Sequence, residues 1–209
     1  MENWVQSLQA TWLSMSPWEM AAVVFAITYL LLAVRENILC WAFAFISTAI
    51  YTVLFWDVSL LMESALNVYY MAMAVYGYHQ WTRGGANGGG GQALAIRAMS
   101  LPQHVVVIGL IVVLTLVSGY LLGEYSSAAW PFVDSFTTWA SVITTYLVAR
   151  KYLENWLYWL VIDSVSVPLY IDRGLHLTAL LFVAYIVIAV FGYIGWRKHF
   201  LAEQHRVET

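Results

Sequence analysis

The sequence predicts an all-α integral membrane protein with seven transmembrane helices, arranged as a triplet, a single connector and a second triplet running parallel to the first. Three observations predict it. The 209 residues are 62% hydrophobic and 10% charged, whereas soluble domains average about 25% charged. Seven apolar segments, at approximately 17–35, 38–55, 58–81, 104–122, 131–149, 155–171 and 175–196, are each about long enough to cross a hydrocarbon core. The chain also resembles itself when shifted by 115 residues without a gap. Arg35 then meets Arg150, Trp41 meets Trp156, Asp57 meets Asp172, Leu60 meets Leu175 and Tyr70 meets Tyr185. Ala74, Val75, Gly77, Tyr78 and Trp81 likewise meet Ala189, Val190, Gly192, Tyr193 and Trp196. Three helices, a connector and three more start both triplets on the same side, which makes them parallel repeats about an axis along the membrane normal.

Taken in order, the chain opens on an N-terminal piece, residues 1–16, read as an interfacial turn carrying Trp4 and Trp12. No Lys or Arg precedes Arg35. The first apolar segment therefore lacks the basic flank of a cleaved signal and is expected to stay as a span. The first triplet occupies 17–81. Residues 82–103 contain the run Arg83-Gly-Gly-Ala-Asn-Gly-Gly-Gly-Gly-Gln92 and read as a flexible cytoplasmic linker. No strand precedes those glycines and no Gly-Lys-Ser pattern follows them, which argues against a phosphate loop. A connector helix covers 104–122, the second triplet 131–196 and a cytoplasmic tail 197–209. The single cysteine, Cys40, lies in an apolar run and rules out an intrachain disulfide.

Basic residues set the expected orientation. Threading seven spans places Arg35, Arg83, Arg97, Arg150, Lys151, Arg197, Lys198 and Arg206 on one side and Arg173 on the other. The first side is then cytoplasmic, with the N-terminus outside and the C-terminus inside. The net charge of -3 gives no pointer to nucleic acid, and none is expected as a partner; the lipid bilayer is.

Two ionisable residues lie well inside spans, Asp163 in the sixth and Glu63 in the third. At 100° per residue, Trp156, Trp159, Asp163, Ser166 and Tyr170 fall within an arc of about 80°. Asp163 sits roughly 10 Å along the helix from Trp156 and from Tyr170, near the middle of the core. A carboxylate there costs roughly 2.5–3.5 kcal/mol, so it should face a cavity, a partner or a ligand. On the third segment Glu63, Asn67, Tyr70 and Trp81 share a face. Two aromatic and acidic faces suit a flat cationic ligand, whose charge the carboxylates offset and whose rings Trp and Tyr stack upon. Bland readings stand beside this one. Trp156, Tyr170 and Trp81 lie where an interfacial aromatic belt would place them. Asp163 could hydrogen-bond Asn67, Thr48 or Ser47 on a neighbouring helix, and Glu63 is close enough to the interface to be solvated. Pro168 marks a kink or opening in the sixth segment. The five histidines sit at span ends or in the tail without carboxylate or cysteine at ligand spacing, so no metal site is read.

Function classes narrow by exclusion. A retinal protein needs a mid-membrane lysine, and the lysines here, Lys151 and Lys198, flank spans. No Ser-Lys pair, His-Glu-x-x-His motif or paired catalytic aspartates in separate spans supports an intramembrane enzyme. A structural or receptor-like protein would explain neither the repeat nor the buried acid. A transporter with its site between the triplets explains both.

The run Arg150-Lys151-Tyr152-Leu153-Glu154-Asn155-Trp156, continued by Trp159, Asp163 and Tyr170, resembles the PnuC family of bacterial vitamin transporters. Asn67, Tyr70 and the run Tyr76-Gly77-Tyr78-His79-Gln80-Trp81 carry the same resemblance, which covers essentially the whole chain. It implies a SWEET-like fold, a homotrimer and a place in the bacterial cytoplasmic (inner) membrane. It also implies uptake by facilitated diffusion without cofactor, ATP or ion coupling, the vitamin being trapped by a cytoplasmic kinase. One departure matters: in the nicotinamide riboside branch the position of Asp163 is typically asparagine. An acid there, with Glu63 as a second, is similar to the thiamine-carrying branch called PnuT. Thiamine is therefore favoured over nicotinamide riboside, with riboflavin or a deoxynucleoside as residual choices. The expected site is Trp156, Trp159 and Tyr170 from the sixth span and Glu63, Asn67 and Tyr70 from the third, with Asp163 as principal anchor.

Overall fold

In a computed structural model, residues 15–57, 61–83, 94–126 and 129–207 are described. They form seven helices: α1 (Pro17–Val34), α2 (Cys40–Asp57), α3 (Leu61–Arg83), α4 (Leu101–Tyr125), α5 (Pro131–Ala149), α6 (Asn155–Asp172) and α7 (His176–Val207). Among them α1, α2, α4 and α7 are long and apolar enough to cross a membrane by length and composition alone. The other three are less apolar because they carry polar faces, such as Ser135, Ser141, Thr144 and Thr145 on α5 and Asn155, Asp163 and Ser166 on α6.

Local chemistry explains where several helices start and stop. Ser16 and Glu19 cap α1 reciprocally, the Ser16 hydroxyl accepting from the Glu19 N–H at 3.1 Å and the Glu19 carboxylate from the Ser16 N–H at 2.7 Å. Pro17, Pro102 and Pro131 sit in the first turns of α1, α4 and α5, where no amide donor is missed. The ends of α1 and α5 are copies of each other. Glu36 (φ 54°) and Lys151 (φ 53°) both enter the left-handed region. Their N–H groups donate to Ala33 and Val148, and the next residues, Asn37 and Tyr152, donate to Leu32 and Leu147. Each end is thus a Schellman closure, made without glycine.

The repeat seen in the sequence recurs in the helices. A shift of 115 carries α2 onto α6 residue for residue and the start of α3 onto the start of α7. Packing obeys the same symmetry: α1 on α2, α2 on α3, α3 on α5, α5 on α6, α6 on α7 and α7 on α1. Six helices therefore close a ring, and α4 stands outside it against α5. Trp41, Trp81, Trp156 and Trp196 fill the core near one end of the ring. Trp41 lies against Gly77 and its repeat mate Trp156 against Gly192, where an added Cβ would come within 2.3 and 2.6 Å of the indoles.

Three expectations change. The helix α7 does not end at Trp196 but runs on to Val207, so most of the expected tail is helical. Arg197 to Arg206 contain no glycine or proline, and the polar residues that end an apolar segment are good helix formers. Of the expected 82–103 linker, residues 84–93 lie outside the described residues, but Leu94, Ile96 and Met99 are buried. That stretch is pinned to the α5–α6 loop, Arg97 N–H donating to Lys151 O at 3.1 Å and Leu153 N–H to Arg97 O at 2.9 Å. The connector α4 starts at Leu101, not 104, because the Gln103 side chain accepts from the Ser100 N–H at 2.8 Å and fixes the first turn there. The N-terminal turn with Trp4 and Trp12 lies outside the described residues.

Gly192→Ala should destabilise the protein by about 1–3 kcal/mol through overpacking against Trp156, seen as a lower melting temperature in detergent. Gly109→Ala in α4, where an added Cβ meets nothing within 4 Å, should cause no loss.

Candidate functional site

The ring encloses a cavity of about 270 Å³, and all six of its helices line it. α6 contributes Trp156, Trp159 and Asp163, one stripe at spacings of three and four. α2, its repeat mate, contributes Trp41, Ala44, Ser47, Thr48 and Tyr51. α7 supplies Phe182, Tyr185 and Ala189, α1 supplies Ala26, Tyr29 and Leu30, α5 supplies Ser141 and Thr145, and α3 supplies Tyr70. Six pairs of mates are in the lining: Ala26 with Ser141, Leu30 with Thr145, Trp41 with Trp156, Ala44 with Trp159, Thr48 with Asp163 and Tyr70 with Tyr185. The cavity therefore lies between the two triplets.

Asp163 is 3% exposed and is the one carboxylate in the lining. Among the described residues none hydrogen-bonds it, and several polar groups that could are committed elsewhere. The Ser47 hydroxyl donates to Ala22 O at 2.8 Å, the Thr48 hydroxyl to Ala44 O at 2.8 Å, and the Asn67 amide to Glu63 O at 2.9 Å. Even Ser166, on its own helix, donates to Ile162 O at 2.9 Å. The reading of Asp163 as a helix-to-helix structural bond thus has no partner to rest on. A buried carboxylate left without one is unfavourable by several kcal/mol, and a cationic or hydrogen-bonding ligand in the cavity is the group that would offset it.

Of the seven residues expected at the site, Trp156, Trp159, Asp163 and Tyr70 line the cavity. Trp156 forms the floor: it is 2% exposed and meets Trp196 edge-on, with ring centroids 5.4 Å apart. Trp159 is half-buried and stands higher on the same wall. Tyr170 is behind the lining, stacked on Phe182 at 5.0 Å. Glu63 is exposed in the first turn of α3, and Asn67 is turned to its own backbone; neither lines the cavity. The sequence reading gave Ser47 and Thr48 of α2 only as bonding partners for Asp163 and did not place Tyr29, Tyr51, Phe182 or Tyr185 at the site. The 115-residue shift held the signal for several of them, since it maps Asp163 onto Thr48, Ser166 onto Tyr51 and Tyr70 onto Tyr185.

Comparison with known proteins gives a consistent answer. A family model described as nicotinamide mononucleotide transporter matches residues 16–198. The nicotinamide riboside transporter PnuC of Escherichia coli (strain K12) is 29% identical over 189 residues, covering 79% of this chain and 78% of that one. The riboflavin/roseoflavin transporter RibM of Streptomyces davaonensis is 26% identical over 179 residues, covering 85% and 83%. A crystal structure of the vitamin B3 transporter PnuC superposes with a TM-score of 0.71 at 25% identity, covering 95% of this chain and 90% of that one.

Trp156→Ala should lower stability by about 3–5 kcal/mol, the usual cost of deleting a fully buried indole. Trp159→Ala, whose indole is half-buried against the core, should lower it by a smaller amount. Thermal denaturation of the two variants side by side in detergent separates floor from wall.

Proposed function

The chain belongs to the nicotinamide mononucleotide transporter family, the PnuC family of vitamin transporters, and from that premise we propose that its substrate is an unphosphorylated cationic B vitamin, nicotinamide riboside before others. It is a multi-pass protein of the bacterial inner membrane that moves a small vitamin, not an enzyme. The relatives named above are nicotinamide riboside or riboflavin transporters, so the preference for thiamine draws no support from them. Thiamine is kept as a second reading on one observation, the Asp163 carboxylate in the cavity wall, which suits the ring nitrogen and amino group of an aminopyrimidine.

The observation that carries the proposal is a carboxylate buried, with no hydrogen-bond partner among the described residues, in an aromatic cavity that six helices share. Nicotinamide riboside offers a planar pyridinium for Trp159 and Tyr70 to stack upon, each such contact contributing about 0.5–2 kcal/mol. Asp163 offsets its positive charge and accepts from its carboxamide or hydroxyl groups. Ser141, Thr145 and Thr48 are hydroxyls within reach of a ribose. Tyr170 supports Phe182 from behind, and Glu63 and Asn67 take part in entry, not in the closed site. The N-terminus faces out and the basic loops face the cytoplasm. Rocking of the two triplets about their axis moves the cavity between the faces, as in other transporters built from parallel repeats. Transport is facilitated diffusion made one-way by phosphorylation inside. The assembly is a homotrimer, with α4 outside each ring.

Titration of the detergent-purified protein, followed by quenching of intrinsic tryptophan fluorescence, tests the proposal. Nicotinamide riboside should quench saturably, and Asp163→Asn, which keeps the shape and removes the charge, should weaken it by about 2 kcal/mol or more, a factor of about 30. Saturable quenching by thiamine alone selects the second reading, and quenching by neither overturns the vitamin assignment.

A further inference from the structure

We propose that Glu36 and Lys151 are the latch that seals the cavity at its cytoplasmic end and that parts for inward release. The assignment of the end, and of what is released there, rests on the function proposed above; the latch itself rests on the geometry. The 115-residue shift carries position 36 onto position 151, so the two residues are repeat mates. Mates that touch must lie on the axis relating the triplets, where like charges would repel. The chain places a carboxylate and an ammonium there, 2.7 Å apart, with side chains 18% and 6% exposed. Both residues take up a left-handed backbone, φ 54° and 53°, in closing α1 and α5.

The pair ends a column built on the same axis. Trp41 and Trp156 form the cavity floor. Beneath them Trp81 and Trp196, also mates, meet each other across the triplets at 6.0 Å. Each meets its own floor indole edge-on at 5.4 Å. The Lys151 ammonium then lies 4.6 Å over the Trp81 ring, and His199 contacts the second Glu36 oxygen at 2.6 Å. Other polar bonds between the triplets also gather at this end: the Trp196 indole donates to Ala33 O at 3.0 Å, and the Arg150 guanidinium to the Tyr76 hydroxyl at 3.3 Å. One more, Tyr69 to Val142 O, crosses midway along α5. At the opposite end the Arg173–Asp134 ion pair and the Trp130–Asp172 hydrogen bond stay within the second triplet. This is a state closed at the basic end. The pair suits a two-state element, since its charges are neutralised by each other when closed and by water when the triplets part, whereas half-separated they would have neither.

Cys40, the sole cysteine, is 0% exposed and four residues past Glu36, so it reports the seal without any substrate. The full chain in membrane vesicles of both orientations would be treated with a membrane-impermeant maleimide. Glu36→Gln and Lys151→Met should each label about tenfold faster or more, from the cytoplasmic face alone, and the charge swap, Glu36→Lys with Lys151→Glu, should slow labelling again. Single variants that label as slowly as wild type, or a swap that labels as fast as they do, would overturn the latch. Equal labelling from both faces would mean lost fold and would overturn it too. Labelling confined to the outer face supports the latch and overturns the orientation. The full expected pattern in a wild-type protein that binds no vitamin supports the latch and overturns the function.

Discussion

A carboxylate in the middle of an apolar bundle constrains everything around it. Asp163 could have been stabilised by a neighbouring hydroxyl or amide, yet Ser47, Thr48, Asn67 and Ser166 each spend their donor on a backbone carbonyl. The bundle instead keeps a cavity in front of the acid and surrounds it with Trp and Tyr faces. A solid core would have been cheaper to fold. An acid so placed fits the function proposed above, in which its partner arrives from solution and leaves again.

The second constraint is the repeat. Two triplets with one fold can meet along a single axis, and residues near that axis are read twice, once from each side. Where the chain keeps both copies alike, as in Trp41 on Gly77 and Trp156 on Gly192, it builds symmetric packing. Where the copies diverge, Thr48 against Asp163 gives the cavity one acidic wall and one neutral one, and Glu36 against Lys151 places opposite charges at a point of contact. Divergence between mates leaves the fold symmetric and makes the two walls of the cavity chemically unlike.

Much of this was legible in the sequence. The number of helices, the repeat period and the Asp163 stripe all follow from composition, self-similarity and a 100° wheel. Depth was not. The wheel put Trp156 and Trp159 on one face but could not show that Trp156 wedges against Gly192 as a floor. It put Glu63 and Asn67 in line with Tyr70, although Glu63 starts α3 in an exposed turn. Ser47 and Thr48 of α2 were legible only as bonding partners for Asp163, because their place in the lining comes from the ring closing opposite it. The pinned segment 94–100 was hidden by its glycine-rich neighbourhood. The continuation of α7 was hidden because the end of an apolar run marks the edge of the membrane and not the end of a helix.

The proposed function has the vitamin pass through the six-helix cavity with no energy source. Counterflow tests it most directly: purified protein in liposomes preloaded with unlabelled nicotinamide riboside, diluted into a trace of labelled compound without nucleotide or ion gradient. The account predicts transient accumulation of label that is absent from empty liposomes and abolished by Asp163→Ala. Absence of counterflow in wild type, or counterflow that persists undiminished in the Asp163→Ala protein, would contradict it.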